Sequence, residues 1–280
     1  MSEDQYCVIG HPIEHSQSPW IHTRFAELTG QSLRYDKRLV PIGELAPTLR
    51  ALAGAGVRGC NVTVPFKFAA AALAQRLSER AALAGAANVL SFHEGCISAD
   101  NTDGIGLVRD IEHNAAVALL GQRVLLLGAG GAGAGVLGPL LLARPASLTV
   151  ANRTIERARA LVERHRSLAM LQKTELFAQG LRAFQGTFDI VINATSSSLG
   201  SAGVPVSASV LKPGALAYDL MYGPPAEAFL RWAQNGGALA RDGLGMLVEQ
   251  AAEAFAIWRG VRAPSQQVLA ELRTLLASPT

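Results

Sequence analysis

The chain has 280 residues, of which 49% are hydrophobic, 28 are glycine and only 17% are charged. This composition excludes a disordered protein, a coiled coil and an acidic or basic tail protein, and the length predicts one large α/β domain or two smaller ones. Lys and Arg outnumber Asp and Glu by 25 to 22, and the resulting net charge of +3 is too small for a nucleic-acid-binding surface.

The N-terminal segment MSEDQYCVIG is acidic and lacks the basic and apolar stretches of a secretory signal, and the three cysteines form no C-x-x-C pair. Both features predict a cytoplasmic protein without a disulfide framework. The uncharged run Val124–Ala143 is long enough to span a bilayer, but it contains six glycines and Pro139. We therefore predict a buried strand followed by a buried helix there, and no membrane association.

Strand-like and helix-like apolar patterns alternate along the chain, which predicts an α/β fold with largely parallel sheets. The predicted strands are 6–10, 33–40, 59–64, 124–128, 148–151, 189–193 and 215–220. The predicted helices are 19–28, 44–53, 65–77, 154–165, 227–234 and 244–259. Segments 89–92 and 96–99 predict an antiparallel hairpin.

Two changes in the pattern predict domain boundaries. The segment NTDGIG around Asp103 opens a helix that leads into a new strand-turn-helix unit, and that unit ends near Gly237–Gly243. We predict an N-terminal α/β domain over residues 1–103, a Rossmann-like domain over 104–239, and C-terminal helices over 240–280 that return to the first domain.

The segment VLLLGAGGAG predicts a dinucleotide-binding turn. It places Gly128, Gly130 and Gly133 in G-x-G-x-x-G register after an apolar strand and before a helix. Such glycines let the backbone approach a pyrophosphate at the helix N-terminus. The alternative, a packing turn in an alanine-rich chain, is disfavoured by the strand, helix and further strand around the motif. The expected cofactor-binding residues are Gly128, Ala129, Gly130, Gly131 and Ala132.

The end of the next strand predicts which dinucleotide binds. NAD sites usually place an acidic residue there for the ribose 2′-hydroxyl, whereas this chain has Asn152, Arg153 and Thr154. Arg157 follows one helical turn after Arg153, and two guanidinium groups at this spacing suit a 2′-phosphate dianion. The segment therefore predicts NADP; the alternative is a solvated basic helix face, to which Arg159, Arg164 and Arg166 are assigned.

Lys67 occupies an unfavourable position if Pro65 is the first helical residue, as the segment NVTVPFK predicts. A cation in the first turn opposes the helix dipole, so an ordinary lysine is expected at the other end. A lysine held by a carboxylate is able to transfer the proton that accompanies hydride transfer at a carbinol carbon. Asp103 is the candidate partner, although on their own the two residues favour a surface lysine and a helix-start aspartate.

The loop GHPIEHSQSPWIH carries two serines before a predicted helix. Ser18 and Pro19 fit the N-cap and the first helical position, which leaves Ser16 without a structural explanation. Paired hydroxyl groups beside the N–H groups of a helix start suit a substrate carboxylate. The histidines nearby lack a matching set of acidic residues or cysteines, so no metal site is expected.

These segments together resemble the shikimate dehydrogenase family nearly from end to end. The resemblance is carried by S-x-S-P, NVTVPFK, AANVL, DNTDG, GAGGA, NRTIER, NATSSSL, YDLMYGPP and GLGMLVEQAAEAF. It implies that Lys67 is the catalytic acid/base and Asp103 its partner. The implied substrate-binding residues are Ser16, Ser18, Asn61, Thr63, Lys67, Asn88, Asp103, Tyr222 and Gln250. The implied further cofactor-binding residues are Thr195, Leu220 and Gly243.

The resemblance implies NADPH-dependent, reversible reduction of 3-dehydroshikimate to shikimate in aromatic amino-acid biosynthesis. It also implies a substrate domain, an NADP-binding domain and a monomer or homodimer without nucleic-acid or membrane partners. Thr23 after His22 and Val89 after Asn88 differ from the family pattern and leave the ring open between shikimate, quinate and an amino analogue. The alternatives are a quinate/shikimate dehydrogenase using NAD or NADP, and a catalytically silent relative that senses NADP or a metabolite.

Overall fold

A computed structural model describes residues 3–181, 184, 186–195 and 204–277 of the chain. The chain divides into two compact units. The first unit comprises Met1–Gly106 together with Leu247–Thr280, and the second unit comprises Leu107–Met246. The boundary expected after residue 103 lies three residues before the end of the first segment at Gly106. The boundary expected after residue 239 lies seven residues before the end of the second unit at Met246.

Strands and helices alternate along the described chain, so the predicted α/β architecture is confirmed. The strands are Asp4–Gly10 (β1), Leu33–Leu39 (β2), Gly59–Val62 (β3), Arg76–Leu77 (β4), Val89–His93 (β5), Cys96–Asp100 (β6), Arg123–Leu127 (β7), Ser147–Asn152 (β8), Glu175–Gly180 (β9), Phe188–Asn193 (β10), Leu211–Asp219 (β11) and Leu239–Arg241 (β12). The helices are Ser18–Thr29 (α1), Leu45–Gly54 (α2), Lys67–Leu73 (α3), Glu79–Ala84 (α4), Asp103–Arg109 (α5), Gly131–Leu142 (α6), Ile155–Gln172 (α7), Glu227–Asn235 (α8), Leu244–Arg259 (α9) and Ser265–Ala277 (α10).

The first unit contains a mixed sheet of order β2-β1-β3-β5-β6-β4. β1 pairs in parallel with β2 and β3, and the predicted hairpin is present as the antiparallel pair β5–β6. In the β1–β3 register Ile9 lies beside Val62, and the Thr63 amide donates to the Ile9 carbonyl at 2.9 Å. The loop after β1, which carries the serines, and the turn after β3, which leads to Lys67, therefore leave the same edge of this sheet.

The second unit contains a parallel sheet of order β12-β11-β10-β7-β8-β9. Val124–Leu127 of β7 is fully buried, as expected for a strand covered on both faces. Counted from β7, the order is that of a Rossmann fold, in which successive strands are added first on one side and then on the other. Ligands of such folds bind at the carboxyl edge where the order reverses, which here lies between β7 and β10.

The predicted helix over 65–77 is wrong at both ends. A turn closes from the Phe66 amide to the Thr63 carbonyl at 3.0 Å, so Phe66 is the N-cap and Lys67 the first helical residue. The helix ends at Leu73 because the Gln75 amide donates to the Ile97 carbonyl at 2.9 Å and the chain then pairs with β6 as β4. Pairing with an existing sheet has overridden helix propensity.

Asp110 is a buried carboxylate that organises the second unit. It accepts hydrogen bonds from Arg241 Nε and Nη2, each at 2.7 Å, and from Tyr218 OH at 2.6 Å. Burial pushes the pKa of Asp110 upward, but the bonds from Arg241 and Tyr218 outweigh it and hold the pKa below its ordinary value. A Cβ at Gly245 would lie 1.8 Å from Asp110 Oδ1. The ionised carboxylate thus ties β11 and β12 to the start of α9.

His22 lies in an aromatic cluster of the first unit and is completely buried. Its ring stacks on Tyr35 with the centroids 4.2 Å apart and lies 5.5 Å from the Trp258 ring. Burial lowers the pKa of His22 to about 3, and the neighbouring Asn61 amide opposes this only in part. The imidazole is therefore neutral in the folded protein at all ordinary pH values.

Replacing His22 with phenylalanine is expected to reduce the acid sensitivity of folding. The unfolded chain takes up a proton at His22 near its ordinary pKa of 6.5, whereas the folded chain does so only near 3. The contribution of the neutral His22 to the free energy of unfolding is therefore complete above pH 6.5. It is lost between pH 6.5 and about 3, by about 1.4 kcal/mol per pH unit. Urea unfolding of both proteins at several pH values measures the difference. His93→Gln, at an exposed histidine, is the control; identical pH slopes for wild type and His22→Phe would contradict the expectation.

Candidate active site

Lys67 and Asp103 form an ion pair in the first unit. Lys67 Nζ lies 2.6 Å from Asp103 Oδ2, and the two side chains are only 12% and 5% exposed. Both residues begin helices, α3 and α5. A helix start stabilises the Asp103 carboxylate but opposes the Lys67 ammonium, so the carboxylate compensates for the lysine's unfavourable position. The pair presents one partly accessible proton-transfer group with a fixed orientation.

Asn88 connects this pair to Gln250. Its Nδ2 lies 2.9 Å from Asp103 Oδ1, 3.0 Å from Gln250 Oε1 and 3.0 Å from Thr102 Oγ1. Its Oδ1 accepts from the Thr102 amide at 2.8 Å. Both ends of the Asn88 amide are therefore engaged within the protein, and the residue holds Asp103 and Gln250 in place.

Asn61 joins the same network from β3. Asn61 Nδ2 donates to the backbone carbonyl of Asn88 at 3.1 Å, and Asn61 Oδ1 accepts from Tyr35 OH at 2.6 Å. The structure thus connects five of the residues singled out from the sequence. They are Asn61, Lys67, Asn88, Asp103 and Gln250.

Three residues of this network were not predicted from the sequence. Thr102 and Asn101 lie in the quoted segment DNTDG, and Asn101 accepts from the Asp103 amide at 3.1 Å while donating to the Ala86 carbonyl at 2.8 Å. The polar residues preceding Asp103 were the available signal. For Tyr35, the only signal was its place on the buried face of β2, where Leu33 and Tyr35 point inward.

The serine loop meets the N-terminus of α1. The predicted N-cap is wrong: Gln17 is the N-cap without a side-chain capping bond, and Ser18 is the first helical residue. Ser16 Oγ accepts a hydrogen bond from the Ser18 amide at 3.3 Å. Ser16, and not Ser18, therefore provides the hydroxyl group that accepts from a backbone amide at the start of α1. Ser18 is buried and its hydroxyl faces the Tyr35 phenol, whereas the Thr63 methyl packs against Gly10.

The glycine-rich turn of the second unit fits a nucleotide phosphate. Gly128 has φ +107°, and a Cβ at Gly133 would lie 2.2 Å from the Gly128 carbonyl oxygen, so neither position accepts a side chain. At Gly130, the N-cap of α6, nothing lies within 4 Å of a Cβ position. Gly131 and Ala132 follow as the first, half-buried residues of α6. The turn therefore offers an open helix start to an anion.

Asn152 links this turn to the next loop. Its Oδ1 accepts from the Ala129 amide at 3.2 Å, and its Nδ2 donates to the Thr154 carbonyl at 2.8 Å. Because the Ala129 amide is engaged in this way, Asn152 and Ala129 position the turn relative to the loop that carries Arg153.

Arg153 and Arg157 are both exposed beside the start of α7. Arg153 lies in the bend before α7 and Arg157 in its first turn, so only Arg157 is helical, in agreement with a helix predicted to begin at residue 154. Within the described ranges, no carboxylate is paired with either guanidinium. Thr154, the N-cap of α7, makes no side-chain capping bond. The two cations and the helix start fit a phosphate dianion.

The remaining predicted cofactor residues follow β10, β11 and β12. Thr195 Oγ1 donates to Asn193 Oδ1 at 2.7 Å, and the Leu220 amide donates to the Asn193 carbonyl at 2.9 Å. A Cβ at Gly243 would lie 2.3 Å from the Leu220 carbonyl oxygen, so close backbone approach requires glycine there. Tyr222 lies half-buried in the loop after β11. Residues 196–199 of NATSSSL lie outside the described residues.

The sequence predicts neither a metal site nor a membrane-spanning helix. Across the described ranges, no group of three or more His, Cys, Asp or Glu side chains is arranged to hold a metal ion. None of the described helices is both long enough and apolar enough to cross a membrane.

Comparison with protein families finds three matches along the chain. The shikimate dehydrogenase substrate binding domain matches residues 8–90, the shikimate/quinate 5-dehydrogenase domain 110–201, and the shikimate 5'-dehydrogenase C-terminal domain 243–273. The shikimate dehydrogenase (NADP(+)) of Acidovorax sp. (strain JS42) is 62% identical over 98% of each chain.

Among solved structures, the Ael1 enzyme from Pseudomonas putida is 47% identical, with a TM-score of 0.86 over 96% of this chain and 98% of that one. The shikimate 5-dehydrogenase of Thermus thermophilus, solved with NADP(H) and shikimate, is 32% identical, with a TM-score of 0.82 over 97% and 99%. With these identities over nearly the full length, the chain belongs to the shikimate dehydrogenase family.

Proposed function

We propose that this protein is an NADP-dependent shikimate dehydrogenase, which reversibly reduces 3-dehydroshikimate to shikimate in aromatic amino-acid biosynthesis. The observation that carries the proposal is the Lys67–Asp103 pair, with Nζ and Oδ2 2.6 Å apart, in a network with Asn88 and Gln250. A relative with 62% identity and the name shikimate dehydrogenase (NADP(+)) supports it. The curated relatives named shikimate dehydrogenase (NADP(+)) favour this function over the alternatives, a quinate/shikimate dehydrogenase using NAD or NADP and a catalytically silent sensor.

In this reaction NADPH, when bound, supplies a hydride to the carbonyl carbon. Lys67 donates a proton to the carbonyl oxygen during reduction and takes it from the hydroxyl group during oxidation. Asp103 holds the Lys67 ammonium by a charge-assisted hydrogen bond, and Asn88 fixes the other oxygen of the Asp103 carboxylate. The lysine is thereby oriented before substrate arrives, which reduces the cost of reaching the transition state.

The remaining polar residues of the family motifs are proposed to bind the substrate. Ser16 and Ser18, at the start of α1, are assigned to the carboxylate. The residues assigned to the rest of the substrate are Asn61, Thr63, Tyr222 and Gln250, together with Asn88, which acts by holding Asp103 and Gln250 because its own amide is engaged by them. Their hydroxyl and amide groups suit a small polyhydroxylated acid, since a hydrogen-bonding site rejects analogues that leave its polar groups unpaired.

The second unit is proposed to bind NADP. The turn at Gly128–Ala132, with Thr195, Leu220 and Gly243, is assigned to the dinucleotide, and Asn152, Arg153, Thr154 and Arg157 to the 2′-phosphate end. By the same assignment the first unit is the substrate domain. The proposal also includes a cytoplasmic location and a monomeric or homodimeric state. The free thiols of Cys7, Cys60 and Cys96 support the location.

The proposal is tested by measuring formation of the reduced cofactor, NADPH from NADP⁺ or NADH from NAD⁺, with each combination of shikimate or quinate and NADP⁺ or NAD⁺. We expect the highest kcat/KM for shikimate with NADP⁺. Equal or higher kcat/KM for quinate with NAD⁺ would indicate the quinate/shikimate alternative. Binding of NADP⁺ and shikimate without turnover at any pH would indicate a sensor.

A further inference from the structure

Tyr35 lies beside the proposed substrate site but belongs to none of the family segments quoted above. It is buried on β2, with 5% of its surface exposed, and its hydroxyl donates to Asn61 Oδ1 at 2.6 Å. The Asn61 amide nitrogen donates to the Asn88 carbonyl at 3.1 Å. The oxygen of the Asn61 amide is therefore occupied, and one of its two N–H groups remains for a ligand.

The contacts of Asn61 fix the direction of its side-chain amide. A reversed amide would place Oδ1 against the Asn88 carbonyl oxygen and Nδ2 against the Tyr35 hydroxyl, so two good hydrogen bonds would be lost or weakened. With the observed orientation, Asn61 offers a ligand only a hydrogen-bond donor. A substrate hydroxyl group is then bound through its oxygen lone pair.

Tyr35 is itself held as a permanent donor. Burial, with smaller contributions from Cys7 and Cys60, raises the pKa of Tyr35 well above 10, so its phenol keeps its proton. The stacked His22 ring, 4.2 Å away and inclined by only 2°, restricts rotation of the phenol ring. The hydroxyl group is thus fixed in both position and protonation.

We propose that Tyr35 is a positioning residue, which fixes the amide of Asn61 so that its free N–H group binds a ring hydroxyl oxygen of the substrate. This inference rests on the proposed function, because it assumes that Asn61 contacts the substrate. It adds a residue of β2 that acts on substrate affinity without touching the substrate.

Tyr35→Phe keeps the stacked ring and removes only the hydroxyl group. We expect about a tenfold rise in KM for shikimate with a smaller fall in kcat, since Asn61 Oδ1 loses its partner and only the bond from Nδ2 to the Asn88 backbone carbonyl still orients the amide. KM for NADP⁺ is expected to stay unchanged. Tyr6→Phe is the matched control, because Tyr6 is equally buried and stacks on Trp258 in the same cluster, while its hydroxyl faces Arg259. A Tyr35→Phe protein with the same KM for shikimate as Tyr6→Phe would overturn the proposal.

A double-mutant cycle with Asn61→Ala shows whether Tyr35 acts through Asn61. We expect that Tyr35→Phe causes no further loss of shikimate affinity when Asn61 is already alanine; full additivity would overturn the proposal. Asn61→Asp is a second variant that leaves the aromatic cluster intact and removes the N–H donor, and retained shikimate affinity there would also overturn it. Wild-type shikimate turnover, measured alongside, tests the proposed function separately from the role of Tyr35.

Discussion

Replacement of Lys67 by alanine is expected to lower kcat for shikimate oxidation by about a hundredfold or more, with little change in the affinity for NADP⁺. The variant lacks the group that accepts the proton, whereas the glycine turn and the arginines of the second unit are untouched. The loss should appear in kcat more than in KM, because proton transfer contributes mainly in the transition state. Steady-state kinetics and a direct NADP⁺ binding measurement separate the two effects.

The control for this variant is Lys212→Ala. Lys212 also pairs with a carboxylate, Asp189 in the second unit, but its side chain is 57% exposed. Surface pairs of this kind contribute little, so wild-type kinetics are expected. Lys67→Ala leaves the carboxylate of Asp103 without its ion-pair partner, so a urea unfolding curve must show that the variant is folded. Near-normal turnover in a folded Lys67→Ala protein would exclude Lys67 as the proton-transfer group.

Asp103→Asn distinguishes the orienting role of Asp103 from simple packing. The amide keeps the size of the side chain but removes its charge, and it places an NH₂ group against either Lys67 Nζ or Asn88 Nδ2, both of which are donors. We therefore expect kcat to fall in this variant as well, with NADP⁺ affinity unchanged. Combined with Lys67→Ala, the two effects should be far from additive, since both variants disable the same proton-transfer unit.

The fold was largely predictable because its main strands are buried on both faces. Residues 124–127 and 190–192 form continuous apolar runs, and the glycine motif fixes where the first of them ends. Three edge strands, β4, β9 and β12, gave no such signal and were not predicted. Glu175–Gly180 is half-exposed along most of its length, and Arg76–Leu77 consists of two exposed residues whose pairing with β6 is a tertiary contact.

The candidate site was predictable in its residue types but not in its contacts. Lys67 and Asp103 are 36 positions apart on different helices, so no periodicity brings them together. Asn88 and Gln250, 162 positions apart, meet through the return of the C-terminal helices to the first unit. Tyr35 has no catalytic motif around it, and only the contacts of its hydroxyl group with Asn61 and Ser18 distinguish it from an ordinary core tyrosine.

Replacement of Arg153 by alanine is expected to raise KM for NADP⁺ by about tenfold to a hundredfold, the range for loss of a hydrogen bond between charged groups. KM for NAD⁺ should change little, because NAD⁺ has a hydroxyl group where NADP⁺ has the 2′-phosphate. The structure supports this expectation, since Arg153 and Arg157 are exposed at the start of α7 and their side chains are available to a ligand. Measuring kcat/KM for both cofactors with saturating shikimate gives the ratio directly.

The matched control is Arg159→Ala, an exposed arginine further along α7 that the sequence assigns to the solvated face of the helix. It changes the net charge by the same amount as Arg153→Ala, so a general loss of positive potential would affect both variants equally. If Arg153 and Arg157 bind the 2′-phosphate together, the double variant with both arginines replaced by alanine should approach equal kcat/KM for NADP⁺ and NAD⁺. Equal losses for the two cofactors in Arg153→Ala, or equal effects of Arg153→Ala and Arg159→Ala, would show that the basic segment is an ordinary helix surface and that NADP⁺ selectivity arises elsewhere.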